Sequence, residues 1–312
     1  MLKNFRFLLD FIKTERTYKF ISKKYEKHVK KFPNLARLAF DLVGLKVSIY
    51  GRFENDELKV LENNVFNKID CSNSTCLDIG ANIGNHSVFF SNFFANVYSF
   101  EPHPDNYYLL KFNTRKFNNI KIFNFGSSNI DENKYIFTPN AVDMGFSIVD
   151  ENILESINDK NKRDKVSRER IKIELKNLDN YLESNKVEKI KFIKIDVESY
   201  EYQSLIGLKN IINKNYPIIA LEQHEGQFDK IKKTTSSIEF LKENSYNFFY
   251  EPIFLNRKKN KNKLLRATSK LFFYLQILFT SKNEKLFKLK KIEAFQVTSY
   301  PMIIASTIDL NL

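Results

Sequence analysis

Thr75–Pro104 reads TCLDIGANIGNHSVFFSNFFANVYSFEPHP. A short apolar run, Cys76-Leu77, ends in Asp78 and a turn that carries Gly80 and Gly84. Asn85 to Phe94 then places Val88, Phe89, Phe90, Phe93 and Phe94 at mostly helical spacing. A second apolar run, Val97 to Phe100, ends in Glu101. The order is strand, glycine turn, helix, strand, with an acid at each strand tip. Such a βαβ unit puts both tips on one edge of a parallel sheet, where ligands bind.

The details narrow the ligand. Gly80 lets the backbone turn tightly out of the strand, and Gly84 lets the helix start lie close to whatever sits above it. Glu101, seventeen residues beyond Gly84, is placed to grip ribose hydroxyls. A dinucleotide fits less well. The run Gly80-Ala81-Asn82-Ile83-Gly84 lacks the middle glycine of G-x-G-x-x-G. Asp78 would also stand beside a pyrophosphate, and like charges repel. S-adenosylmethionine fits better, since it has a sulfonium, an ammonium and a ribose but no phosphate. Asp78 then faces the cationic end and Glu101 the ribose. The plain alternative is an ordinary βαβ turn with incidental acids. Glycine turn, helix and second acid in this order favour the nucleoside.

LDIGANIGNHS and SFEPHPDN resemble the opening motifs of the FkbM family of S-adenosylmethionine-dependent methyltransferases. FIKIDVESYEYQSLIGL (Phe192 to Leu208) resembles that family's Lys-x-Asp-x-Glu-Gly-x-Glu motif and the helix after it. IIALEQH (Ile218 to His224) resembles its next strand. The resemblance covers Cys76 to Tyr250. It implies a doubly wound, Rossmann-like class I methyltransferase fold of the α/β class, with seven core strands and helices on both faces. It implies methyl transfer to an oxygen, with a sugar hydroxyl of a surface polysaccharide or glycolipid as acceptor. The cofactor residues it points to are Asp78, Gly80, Asn82, Gly84, Glu101 and Asp196. Gly126-Ser127-Ser128-Asn129 departs from the acidic, adenine-touching loop common in the family. Ser199 departs too, replacing the motif glycine. If that glycine takes a positive φ, serine strains the turn; if it only gives room, the hydroxyl narrows the pocket.

Asp78, Glu101, Asp196 and Glu222 are all expected on the carboxyl edge of one sheet. Acids on one rim suit a cationic cofactor. They also suit a divalent metal, for which Asp196, Glu198, Glu222 and His224 offer oxygen and nitrogen ligands. Methylating a hydroxyl needs a base, or a metal that acidifies the hydroxyl. His224, one of four histidines, has an unperturbed pKa suited to a base near neutral pH. The plain alternative is a histidine that only hydrogen-bonds in a loop. Asp196 and His224 are the expected catalytic residues. Two other functions compete: a nicotinamide-dependent oxidoreductase, and a cofactor-binding module whose chemistry is lost through Ser199.

The rest of the chain reads as appendages. Residues 1–70 form a helical cap, 71–256 the methyltransferase domain, 257–293 a basic amphipathic insertion, and 294–312 a final strand returning to the sheet. Within the cap, 2–31 reads as a basic helix and Val47 to Tyr50 as a strand. Further on, Tyr200 to Ile212 reads as one helix, Ser147 to Val149 as a strand, and Asn158 to Arg170 as a charged excursion. Met144 to Ser147 reads as plain loop, with lining of the substrate mouth as the alternative. The net charge of +13 favours anionic surfaces such as membrane headgroups or phosphorylated carriers. No recognised nucleic-acid motif accompanies it, so no nucleic-acid partner is expected. Two cysteines without a His/Cys cluster give neither a disulfide framework nor a zinc site, which fits a reducing cytoplasm. No signal peptide is read at the start, and no run approaches the roughly twenty apolar residues of a membrane span. The basic, apolar 2–31 and 257–293 segments suit peripheral attachment to the inner face of an anionic membrane. The oligomeric state is left open.

Overall fold

The computed structural model describes residues 35–37, 43–44, 47, 52–138, 169–254 and 287–310. The expected 2–31 helix, the Ser147 to Val149 strand, the Met144 to Ser147 loop and most of the 158–170 excursion lie outside them. So does 257–286 of the insertion.

Five parallel strands form the centre: β1 (Thr75–Ile79), β2 (Asn96–Phe100), β3 (Ile120–Phe123), β7 (Ile190–Ile195) and β8 (Ile218–Gln223). Three more complete the sheet: β9 (Phe248–Phe254), β10 (Phe287–Lys291) and β11 (Tyr300–Ser306). The order is β10-β9-β11-β8-β7-β1-β2-β3. The final strand β11 does return to the sheet. It runs antiparallel between β8 and β9. Strand order reverses between β1 and β7, and a crevice opens at such a switch point. Among the described residues the sheet has eight strands rather than seven, because β10 adds an antiparallel edge to β9. This edge is the tail of the stretch read as insertion. Leu289 is buried while Lys288 and Lys290 are not, an alternation that also protects a sheet edge from further pairing.

Both faces of the sheet are covered, as the near-continuous apolar strands require. Along β1, Leu77 and Ile79 enter one core and Cys76 the other. The Leu77 side packs under α4 (Leu178–Ser184), α5 (Glu201–Ile206), α6 (Lys209–Asn215) and α7 (Ser236–Glu243). The Cys76 side packs under α1 (Asn55–Asn64) and α2 (Asn85–Phe90). There Phe66 meets Phe89, Phe90, Phe93, Phe94 and Phe192 with ring centroids 5.1–6.2 Å apart. Helix α3 (Pro104–Thr114) starts on a proline, and His103 Nδ1 accepts from the Asp105 N–H at 3.2 Å.

A second sheet, β4 (Gly126–Ser128), β5 (Glu132–Thr138) and β6 (Glu169–Asn177), sits beside the first in the order β4-β6-β5. Gly126-Ser127-Ser128, read as an open loop, is therefore a buried strand paired with β6. The single helix expected over Tyr200 to Ile212 is split into α5 and α6 by Gly207. A Cβ there would stand 2.0 Å from the Ser128 carbonyl oxygen, so β4 and α5 meet backbone to backbone. Val47 is helical, which corrects the strand read from Val47 to Tyr50 at that residue. Among the described residues, no helix is long and apolar enough to cross a membrane.

Candidate functional site

The β1 tip is a tight left-handed turn. Gly80, Asn82 and Gly84 have φ of +80°, +51° and +88°. A Cβ on Gly80 would stand 1.8 Å from the Asp196 backbone oxygen, so the turn touches the tip of β7 directly. The Asn82 N–H donates to Glu101 Oε2 at 2.8 Å, and the His103 N–H to Oε1 at 2.9 Å. Turn and second acid are thus one unit. Glu101 is buried, and burial pushes its carboxyl up to about 7 despite these amide bonds.

Register builds a polar row inside the sheet. Asp78 pairs with Ser99 on one side and Lys194 on the other. The three alternate with apolar neighbours, so they share the face under α2. Ser87 of α2 donates to Asp78 Oδ2 at 2.5 Å and accepts from Ser99 at 2.8 Å. Lys194 Nζ lies 3.9 Å from Asp78 Oδ1 and 3.0 Å from Asp196 Oδ2. Burial opposes the Lys194 charge, but Asp196 and Asp78 hold its pKa well above the ordinary lysine range. The expectation that Asp78 faces a cationic ligand needs correction. Its carboxylate is fully buried and turned to Ser87 and Lys194. The carboxylate presented at the crevice is Asp196, one residue past β7 and 29% exposed. Burial works against its charge, yet Lys194, the hydrogen bond from Glu222 and the nearby His86 together bring its carboxyl down to about 2.

The next two strand tips add an acid and histidine group. Glu222 hydrogen-bonds Asp196 side chain to side chain; burial, then the Asp196 charge, push its carboxyl up to about 10. His224 Nε2 lies 3.3 Å from Glu198 Oε2 and 3.8 Å from Glu222 Oε2. The Glu198 contact raises the imidazole pKa, and burial lifts Glu198 to about 7. Glu54, just before α1, closes the cleft beside Lys194, Asp196, Glu222 and Met302. Its Oε2 lies 3.2 Å from His86 Nε2.

The β7 turn is strained. Glu198 has φ +50° and Ser199 φ +79°. The motif glycine is replaced where positive φ is required, at a cost of about 1–3 kcal/mol per residue. Glu201 offsets part of it. Its Oε1 accepts from the Ser199 N–H at 3.0 Å and its Oε2 from Gln227 Nε2 at 2.7 Å. Gln227 Oε1 in turn accepts from the His224 N–H at 2.7 Å, locking the two turns together.

The structure gathers Asp196, Glu198, Glu222 and His224 in one group, with Gly80 in backbone contact. Glu101 stands apart at the β2 tip, tied to Asn82 of the same turn. Sequence reading gave no role to Lys194, Glu201 or Glu54. The first two did leave a signal, since they stand at the Lys and the last Glu of the Lys-x-Asp-x-Glu-Gly-x-Glu motif. Glu54 left none, since only tertiary packing brings it to the cleft.

The chain is similar to several solved methyltransferase structures at low identity. A methyltransferase FkbM from Methylobacillus flagellatus is 13% identical, with TM-score 0.37 over 74% of this chain; the chain spans about half of it, 52%. A precorrin-6y C5,15-methyltransferase from Geobacter metallireducens is 12% identical, with TM-score 0.37, 82% of this chain and 92% of that one covered. A fibrillarin from Aeropyrum pernix with bound S-adenosyl-L-methionine is 11% identical, with TM-score 0.34, at 66% and 75% coverage. No curated protein sequence matches the chain significantly. The profile of the methyltransferase FkbM domain matches residues 78–248. That match covers more than half of the chain and contains every site residue discussed except Glu54 and Met302, so the chain belongs to the FkbM methyltransferase family.

Proposed function

We propose that this protein methylates an oxygen, a sugar hydroxyl of a surface polysaccharide or glycolipid, with S-adenosylmethionine as donor. The observation that carries this reading is the meeting of two half-sites at the switch point. One is the left-handed glycine turn with Glu101; the other is the Asp196 group, in backbone contact across Gly80. The residues fit the cofactor. Glu101 accepts the Asn82 and His103 amides and a bond from the Asn106 side chain, and its two oxygens together keep one further lone pair for a ribose hydroxyl. Asp196, ionised and open to the cleft, suits a cationic end.

When bound, S-adenosylmethionine supplies a methyl group on a sulfonium, from which the C–S bonding pair leaves with sulfur. The chain aligns the acceptor oxygen with that carbon, and alignment supplies a large part of the barrier reduction. Asp196 takes the acceptor proton as the O–C bond forms. The acids of the cleft favour a neutral polyol over an anionic sugar. The basic, apolar sequence of 257–286 suits an acceptor carried at an anionic lipid surface on the cytoplasmic side.

Glu101 must be ionised to accept a ribose hydroxyl beside its amide and Asn106 bonds. Since its carboxyl lies at about 7, affinity for S-adenosylhomocysteine should fall roughly tenfold per unit as pH drops below that value. The stability term has the opposite sign. Glu101 holds its proton more tightly folded than unfolded, so its contribution is lost as pH rises from 4.5 through about 7. Calorimetry from pH 5 to 9 checks the binding, with Glu101→Gln expected to bind at least about tenfold more weakly and to lose the pH dependence. Unchanged affinity in the variant sinks the ribose role, and no binding by wild type sinks the cofactor. The acceptor half is tested by mass spectrometry of surface glycans from cells with and without the gene. Loss of one O-methyl group is expected, and an unchanged glycan profile rejects the sugar acceptor.

A further inference from the structure

We propose that Glu198, Glu222 and His224 hold a divalent cation of the Mn2+ or Mg2+ type on the acceptor side of the cleft. Two carboxylates and one imidazole converge from neighbouring strand tips, Glu198 after β7 and Glu222 and His224 at the end of β8. One donor atom from each lies within 4.8 Å of the others. Donors held at about 2.1–2.4 Å around one cation stand roughly 3–4.5 Å apart, so small side-chain adjustments complete the site. Glu198 Oε2 and His224 Nε2 are buried atoms that approach to 3.3 Å, and among the described residues neither has an aligned hydrogen-bond partner beyond the other. Both atoms are thus desolvated and close. A dication there would hold both carboxyl groups in their ionised form.

Asp196 is not a ligand in this arrangement. Lys194 Nζ holds it at 3.0 Å, and the ammonium would repel a cation on the same oxygens. The division of labour is chemically useful. Held in an ion pair by Lys194 at 3.0 Å, Asp196 gains from help in taking the proton of a hydroxyl. A cation that binds the hydroxyl oxygen acidifies it, and Asp196 then suffices as acceptor. This use rests on the reading of the site as a sugar O-methyltransferase; the binding itself does not.

The probe is Mn2+ alone, followed by electron paramagnetic resonance as the free-ion signal is lost on titration into the full chain. One Mn2+ per chain is expected. Glu198→Gln and His224→Ala should each weaken it at least about tenfold, with cooperative thermal unfolding showing that they fold. A variant-independent arm uses wild type with labelled histidines. Of the four imidazoles, His224 should broaden first as Mn2+ is added below stoichiometry. Absence of stoichiometric binding, equal binding by folded variants, or broadening that spares His224 overturns the site. S-adenosylhomocysteine calorimetry separates the two readings. Cofactor binding without Mn2+ binding rejects the cation alone, while Mn2+ binding without cofactor binding rejects the methyltransferase reading and leaves the cation site standing.

Discussion

Replacing Lys194 with methionine should cost the fold about 3–5 kcal/mol, the loss typical of breaking a buried ion pair. Lys194 is 4% exposed and Asp78 fully buried. Among the described residues, Asp78 in the variant keeps the Ser87 hydroxyl, while Oδ1, which already lacks a hydrogen bond, loses the Lys194 ammonium. Asp196 loses its 3.0 Å partner as well, with the carboxyl groups of Glu54, Glu198 and Glu222 around it. The effect is mainly that of a stranded charge rather than of lost packing, since methionine keeps most of the apolar stem. The double variant Asp78→Asn/Lys194→Met should therefore be more stable than the single one. Urea denaturation of wild type, both single variants and the double closes the cycle. A loss below about 1 kcal/mol for Lys194→Met, the scale of an exposed pair, or a double variant no better than the single, would show that the row is not electrostatically coupled.

That row also shows what the sequence could and could not reveal. Strands β1, β2, β7 and β8 were legible because each is an apolar run that stops at an acid, and the glycine turn fixed the hand of the first crossover. The side of the sheet on which each acid lies was not legible. Asp78 and Asp196 look alike in the chain, one at the end of CLD and one at the end of IKID. Register alone turns the first inward to Lys194 and leaves the second at the crevice. The break at Gly207 was hidden because helical spacing continues across it, and only the close approach of Ser128 forbids a side chain there. Strand β10 was hidden for a different reason. Its period-two alternation is five residues long, and the lysines and leucines before it blurred the pattern. The positive φ at Ser199 was one of two outcomes read from the missing glycine, and the backbone takes that one. Glu54 belongs to no local pattern at all.

Gly80→Ala should be the most damaging one-carbon change in the site, at about 3 kcal/mol or more. Two costs add. The residue sits at φ +80°, where an L side chain is strained by about 1–2 kcal/mol. The new Cβ would also lie 1.8 Å from the Asp196 carbonyl oxygen and 2.8 Å from its carbon, far inside contact distance. The neighbour is backbone on a central strand, so it cannot swing away. Relief comes only by parting β1 from β7, where the Asp196 N–H donates to the Ile79 carbonyl at 3.0 Å. Melting should fall by roughly 5–10 °C. Binding should suffer beyond stability, because the parted tips separate the Glu101 turn from Asp196. Gly226→Ala is the control, since a Cβ there meets nothing within 4 Å, and it should change stability by less than about 0.5 kcal/mol. Thermal unfolding of both variants, with S-adenosylhomocysteine calorimetry on the folded protein, reads the two effects apart. If Gly80→Ala melts with wild type and binds normally, the backbone contact between the half-sites does not constrain the site, and the switch-point account of the crevice fails.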